Sequence, residues 1–147
     1  MSRRVAGALI ALGGALMAVG PILDFVTVQS DLGVERESRT FNGFATRDGS
    51  YYVGAGIVLA LLALVVVALR SPIGRRILGS LGIVVAGFMT YGALQDVTSL
   101  SGLPRGVTGT AEIGLYAVLA GGVLALLGSV VALFTSQEVP ASAPTRG

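Results

Sequence analysis

Carboxylates are the only side chains in this chain that could act as a general base near neutral pH, because it contains no His and no Cys. Ahead of the C-terminal tail they are Asp24, Asp31, Glu35, Glu37, Asp48, Asp96 and Glu112. Hydrolysis or group transfer would need two of them paired, or several around a metal. Glu35 and Glu37 flank Arg36, so they balance neighbouring arginines rather than share a proton. Asp48, Asp96 and Glu112 would form a site only by converging on one cleft. The stretch GSLGIVVAG from Gly79 has the glycines of a phosphate loop but no Lys, and it lies in an apolar run where no phosphate would be solvated. Without Cys there are no disulfides, thiolate ligands or S-palmitoylation sites. The residues predict a protein that is not an enzyme, with no catalytic, cofactor-binding or metal site.

The elements that must position these acids are very apolar. Of 147 residues 53% are hydrophobic and 12% charged, with a mean hydropathy of +0.82. A soluble domain has nowhere to hide that much apolar surface. A formal charge of +2 supplies no clustered basic face, which argues against a nucleic-acid partner. The bias toward Gly, Ala, Val, Leu and Arg suits a high-GC bacterial genome.

Four apolar runs cover residues 5–23, 51–69, 77–94 and 113–134. At about 1.5 Å per residue each reaches roughly the 30 Å of a hydrocarbon core. None contains an ionisable Asp, Glu, Arg, Lys or His, and none shows a polar face with helical period. The expected fold class is an all-α membrane protein, a four-transmembrane-helix bundle over residues 1–134 with a disordered tail over 135–147. MSRR and the apolar residues behind it also fit a signal peptide. The best cleavage site, Ala18-Val19-Gly20, is followed by Pro21, and the apolar run continues through Leu23, so an uncleaved span is the reading.

Orientation follows from arginines in short segments at span ends. Arg3 and Arg4 precede the first span, and Arg70, Arg75 and Arg76 crowd the turn between the second and third. Those segments should stay in the cytoplasm of a bacterial plasma-membrane protein, which puts both termini inside. Residues 24–50 and 95–112 become the outer loops, the first one longer.

Within the first outer loop VERESRTFNGFATRDG gathers six charged side chains between two segments with almost none. DFVTVQ is β-prone, SDLG reads as a turn and VERESRTF fits a returning strand, so a short β-hairpin is open here. An isolated hairpin is marginal in water and would need support from helix ends or a partner. The loop is either a solvated connection or a binding epitope, and its partner contacts would be Arg36, Arg39, Phe41, Phe44, Arg47 and Asp48. Phe41 and Phe44 flank Asn42-Gly43, where they either dip into the lipid interface or anchor a contact, while Tyr51 and Tyr52 supply an interfacial belt.

The segment GFATRDGSYYVGAGIVLALLALVVVAL carries Gly43, Thr46, Asp48 and Gly49 directly into an apolar helix. That turn resembles small four-span membrane proteins of actinobacteria, most of them functionally uncharacterised; a Trp associated with their outer loops is absent here. The longer first and shorter second outer loop also resembles claudin-like proteins in layout, without their paired cysteines or Trp-containing motif.

Association in lipid depends on close backbone approach, so small residues in the spans mark packing lines. Ala117, Gly121, Ala125 and Ser129 recur at four-residue steps in the fourth span. Gly7, Ala11 and Ala15 do so in the first, where Gly14 and Ala18 form another such line, with Gly56 and Ala60 in the second and Gly82 and Ala86 in the third. Packing within the bundle and a homo-oligomer seam are both open, the first being simpler. Gly20-Pro21 ends the first helix or hinges it.

Proton and ion pathways leave ionisable residues inside spans. Here the deepest polar groups are Ser80, Thr90, Tyr91 and Ser129, whose hydroxyls suit bonds to their own helix. The reading is therefore a non-enzymatic polytopic membrane protein embedded in the lipid bilayer, an accessory or scaffolding subunit that meets a membrane or envelope protein partner through its outer loops. The rival is a small transporter or lipid-handling protein with a groove between helices lined by glycines and by Ser80, Thr90 and Tyr91.

Overall fold

The computed structural model describes residues 3–31, 37–46, 48–69 and 71–134. Four helices long and apolar enough to cross a membrane dominate it, and a three-stranded sheet closes one end. Helix α1, Arg3–Val19, stops where Gly20-Pro21 begins a single 3₁₀ turn, Gly20–Ile22, because a proline nitrogen cannot donate to the preceding turn. The alternative of a mid-helix hinge is not what forms: the chain leaves in extended conformation at Leu23 and enters strand β1, Asp24–Ser30.

Strand β2, Glu37–Asn42, runs antiparallel to β1, setting Val26 opposite Phe41, Thr27 opposite Thr40 and Val28 opposite Arg39. The hairpin expected from DFVTVQ and the segment after it is therefore present, although its connection lies outside the described residues. To the expected helical bundle and its hairpin the fold adds a third strand. Val107–Ala111, here β3, comes from the second long connection and pairs with the other edge of β1, giving the order β2-β1-β3. Gly106 takes a positive φ of 87° just before β3, and its carbonyl accepts from Asp31 N at 2.8 Å, which fixes the register. A hairpin that would be marginal alone becomes the centre of a small sheet.

Helix α2, Gly49–Ala68, starts at the Asp-Gly step, and helix α3, Pro72–Ser99, follows a tight turn. Ser71 Oγ accepts from Gly74 N at 3.3 Å and Pro72 occupies the first turn, a favourable start for a helix. At 28 residues α3 is about 42 Å long, more than the roughly 30 Å of an apolar core, so its polar last turns, Gln95 to Ser99, extend past it. A 3₁₀ turn, Leu100–Gly102, and β3 lead into helix α4, Ile113–Phe134.

Helix α1 packs closely on both α2 and α4, and α3 packs on α4, whereas the contact between α2 and α3 is much thinner. The close pairs meet at glycines. A Cβ on Gly14 would lie 2.7 Å from the Gly56 carbonyl oxygen, and one on Gly121 would lie 2.6 Å from that of Gly13, so backbone touches backbone at both seams. Phe25 ties the sheet to the helices: it is buried, with its ring centroid 6.1 Å from that of Tyr52. Large apolar side chains on the outward faces of all four helices stay exposed, among them Leu12, Leu64, Phe88 and Leu127.

The two ends of the bundle differ in charge. Among the described residues, Arg4, Arg75 and Arg76 occupy the end with the α2–α3 turn. Asp24, Glu37, Asp48, Asp96 and Glu112 lie at the sheet end, with Arg39 and Arg105. Arg70 and residues 135–147 lie outside the described residues, and so does the side chain of Arg3.

Candidate functional site

Two features stand at the sheet end, a groove between α2 and α3 and the open edge of the sheet. The groove begins with Asp48, the residue before α2, whose side chain makes no capping bond to the helix it precedes. One turn on, Tyr52 points inward and donates its hydroxyl to Asp96 Oδ2 at 2.6 Å. Asp96 is available because α3 continues past its apolar run into that last polar turn. Gly92, one turn before it, brings the helix within 3.4 Å of the Tyr52 hydroxyl, measured from where a Cβ would stand.

Below this pair the groove has a volume of about 440 Å³ and is walled by Tyr51, Phe88, Met89 and Gln95. Gln95 Nε2 donates to Tyr91 Oη at 3.0 Å, which holds the amide along α3. A smaller cavity of about 170 Å³ on the other side of the same carboxylates is lined by Phe25, Val26, Thr46 and Leu100. Asp48 and Asp96 thus separate the groove from the underside of the sheet. No described cation lies within ion-pairing distance of either carboxylate.

Glu112 does not line the groove; its backbone N–H closes the sheet end by donating to Phe25 O at 3.0 Å. Of the acids weighed for a catalytic cluster, the fold brings Asp48 and Asp96 to one place and leaves Glu112 elsewhere. Among the described residues no group of three or more His, Cys, Asp or Glu could hold a metal ion. The arrangement offers two carboxylates and a phenol beside an apolar wall, which suits holding a cationic group.

The second feature is β2. Every one of its residues is exposed, and no described strand pairs with its outer edge. Arg39 leans on Glu37 at 3.7 Å with both side chains mostly exposed. Phe41 and Phe44 are exposed at 38% and 54%, large apolar rings that the fold itself does not cover. The turn between them is tied by Ala45 N donating to Asn42 Oδ1 at 3.0 Å and by Thr46 Oγ1 donating to Gly43 O at 2.7 Å. Arg36 and Arg47 lie outside the described residues. Away from the helices the sheet presents Thr40, Thr27 and Thr110 side by side, with Thr27 Oγ1 and Thr40 Oγ1 3.0 Å apart.

The small residues divide by helix. Gly7 packs against Val67 and Ala63, while Gly56 faces Gly14 and Ala18, with Ala60 beside Gly14. Gly121 and Ala125 face α1; Ser129 faces Gly82 of α3, where Ala86 is also buried. Ala15 is exposed and Ala11 and Ala117 are half-buried, so the line through Gly7, Ala11 and Ala15 turns away from its neighbours. The other line, Gly14 with Ala18, packs on Gly56 of α2, and the adjacent Gly13 packs on Gly121 and Ala125 of α4, so neighbouring positions serve two partner helices. Thr90 and Ser129 donate to the carbonyls of Ala86 and Ala125, one turn back in their own helices.

Sequence reasoning missed the pairing of Tyr52 with Asp96. Tyr52 reads as an interfacial aromatic, and nothing local distinguishes it from Tyr51 next to it. The available signal was Asp96 itself, an acid within one turn of an apolar run, where a continuing helix must find it a partner. No family model matches this chain, and no curated protein matches it.

Proposed function

We propose that this is a non-enzymatic, four-span protein of a bacterial plasma membrane, akin to the small four-span proteins of actinobacteria, acting as an accessory or scaffolding subunit. The exposed Leu, Val and Phe side chains on every helix support a lipid environment, since water would penalise them. Arg4, Arg75 and Arg76 at one end support a cytoplasmic position for that end and both termini. The sheet then stands outside the membrane.

The observation that carries the subunit reading is strand β2, exposed along its whole length, with an outer edge that no described strand pairs and with Phe41 and Phe44 exposed. Such an edge offers main-chain hydrogen bonds to an added strand, and the two rings offer anchors. The partner is a membrane or envelope protein. The test is a pull-down of the tagged protein from its own membranes in mild detergent, with Arg39, Phe41 and Phe44 changed to Ala as control. A stoichiometric partner lost with the changed strand is expected. Recovery of the same partners with wild-type and changed protein would count against the reading.

A second reading, a small transporter or lipid-handling protein, is favoured by one observation. The bundle is not closed between α2 and α3, and the gap holds a groove with apolar walls. In this reading an apolar or lipidic molecule occupies it from the side.

A further inference from the structure

The groove between α2 and α3 is unevenly charged. At its sheet end stand Asp48 and Asp96, and no described arginine neutralises them. Tyr52 engages only Oδ2 of Asp96, so Oδ1 and the Asp48 carboxylate have no protein partner among the described residues. Below them the walls turn apolar and aromatic. Phe88, 71% exposed, lies two turns before Asp96 on α3, about 12 Å along the axis, so the groove opens sideways where the helix faces outward.

We propose that this groove seats the primary ammonium head of a membrane amphiphile, with Asp48 and Asp96 holding the cation and Phe88 and Met89 beside its chain. The proposal rests on the second reading above and names its ligand. A primary ammonium carries three donors, which match acceptors that no described residue engages, and charge-assisted bonds of this kind are the strong ones. Tyr51 and Tyr52 add rings at the charged end, and aromatic faces attract a cation. A divalent metal fits less well, because it takes six or more oxygens and the groove brings only two carboxylates together. A soluble amine would leave the apolar wall uncovered, whereas an amphiphile covers it. The volume of about 440 Å³ is that of a small-molecule site.

The test uses the full chain in nanodiscs of equimolar phosphatidylethanolamine and phosphatidylcholine with identical acyl chains. A trace of one or the other lipid carries a diazirine on its tail, and labelled peptides are mapped by mass spectrometry. The ethanolamine lipid should label the peptide holding Phe88 and Met89 about tenfold more than the choline lipid, the ratio expected from one extra charge-assisted hydrogen bond. That ratio should fall to parity in the double variant Asp48→Asn, Asp96→Asn, which keeps side-chain size and an acceptor for Tyr52. The intact fold of the variant is checked by its thermal unfolding.

Equal labelling by both lipids in the wild type would overturn the ammonium proposal and leave the lipid-handling reading standing. No label at Phe88 and Met89 from either lipid would overturn both. Calcium chloride suppressing the label in the wild type and not in the double variant would make this a metal site and overturn the proposal as well.

Discussion

Tyr52 and Asp96, 44 residues apart in sequence, form the only side-chain hydrogen bond that joins two different helices among the described residues, at 2.6 Å from Oη to Oδ2. It spans α2 and α3, a seam much thinner than those of α1 with α2, α1 with α4 and α3 with α4. Removing it should loosen that seam without unfolding the bundle. Tyr52→Phe is expected to lower stability by about 1.5 to 3 kcal/mol, the range for a hydrogen bond to a charged group. Asp96→Asn, which keeps an acceptor, should cost less. Thermal or denaturant unfolding in detergent measures both, and equal losses would contradict the role given to this bond.

The glycine seams make a sharper prediction about size. On Gly14 a Cβ would stand 2.7 Å from the Gly56 carbonyl oxygen, so Gly14→Val must push α1 and α2 apart. Overpacking of this kind costs about 1 to 3 kcal/mol, and backbone rather than a movable side chain stands in the way. Ala15→Val, one position further and exposed, should be close to neutral. If the two variants melted together, the seam through Gly14 would be wrong.

The ion pair of Glu37 with Arg39 should contribute almost nothing. At 3.7 Å, with side chains 73% and 68% exposed, it is screened by water and salt. Glu37→Ala should leave the unfolding midpoint unchanged at low and at high salt. A salt-dependent loss would mean that β2 is less solvated than its exposure indicates.

Sheet closure is tested at Gly109. A Cβ there would meet Leu103 Cδ1 at 2.8 Å and Leu100 Cδ2 at 2.9 Å, side chains of the turn that follows α3. Both are ends of flexible side chains, so Gly109→Val should displace the two leucines and speed amide exchange in β1 and β3 only modestly, with the exchange of α1 and α4 unaffected. Hydrogen exchange read by mass spectrometry checks this; uniform protection across the sheet would contradict the docking of β3.

The four helices were legible because their signal is local: runs without charge, bounded by Arg, Pro and Gly. The ends were less so. Helix α3 starts five residues before its apolar run and ends five after it, because Pro72 and Ser71 begin it and the polar QDVTS continues it. Strand β1 showed in DFVTVQ, and β2 in the segment after it. Strand β3 did not, since VTGTA is five residues with a central Gly and acquires its identity only by pairing with β1, some 80 residues earlier. On α1 the spacing offered two lines, and the one through Gly14 and Ala18 is the line that packs on Gly56 of α2. Gly7, Ala11 and Ala15 share a line by spacing alone, but which line is buried depends on where two other helices stand. Of the partner contacts named from sequence, Arg39, Phe41, Phe44 and Asp48 all lie at the sheet end, and Asp48 belongs to the groove rather than to the sheet edge.

The central claim is a four-span membrane protein that presents its sheet outside and its α2–α3 turn inside. Because the chain has no Cys, single substitutions report position without background. The most direct measurement is labelling of Thr40→Cys and Arg76→Cys by a membrane-impermeant maleimide in intact cells and after permeabilisation. The account predicts that Thr40→Cys is labelled in intact cells and that Arg76→Cys is labelled only once the membrane is opened. The reverse pattern, or labelling of both sites in intact cells, would contradict it.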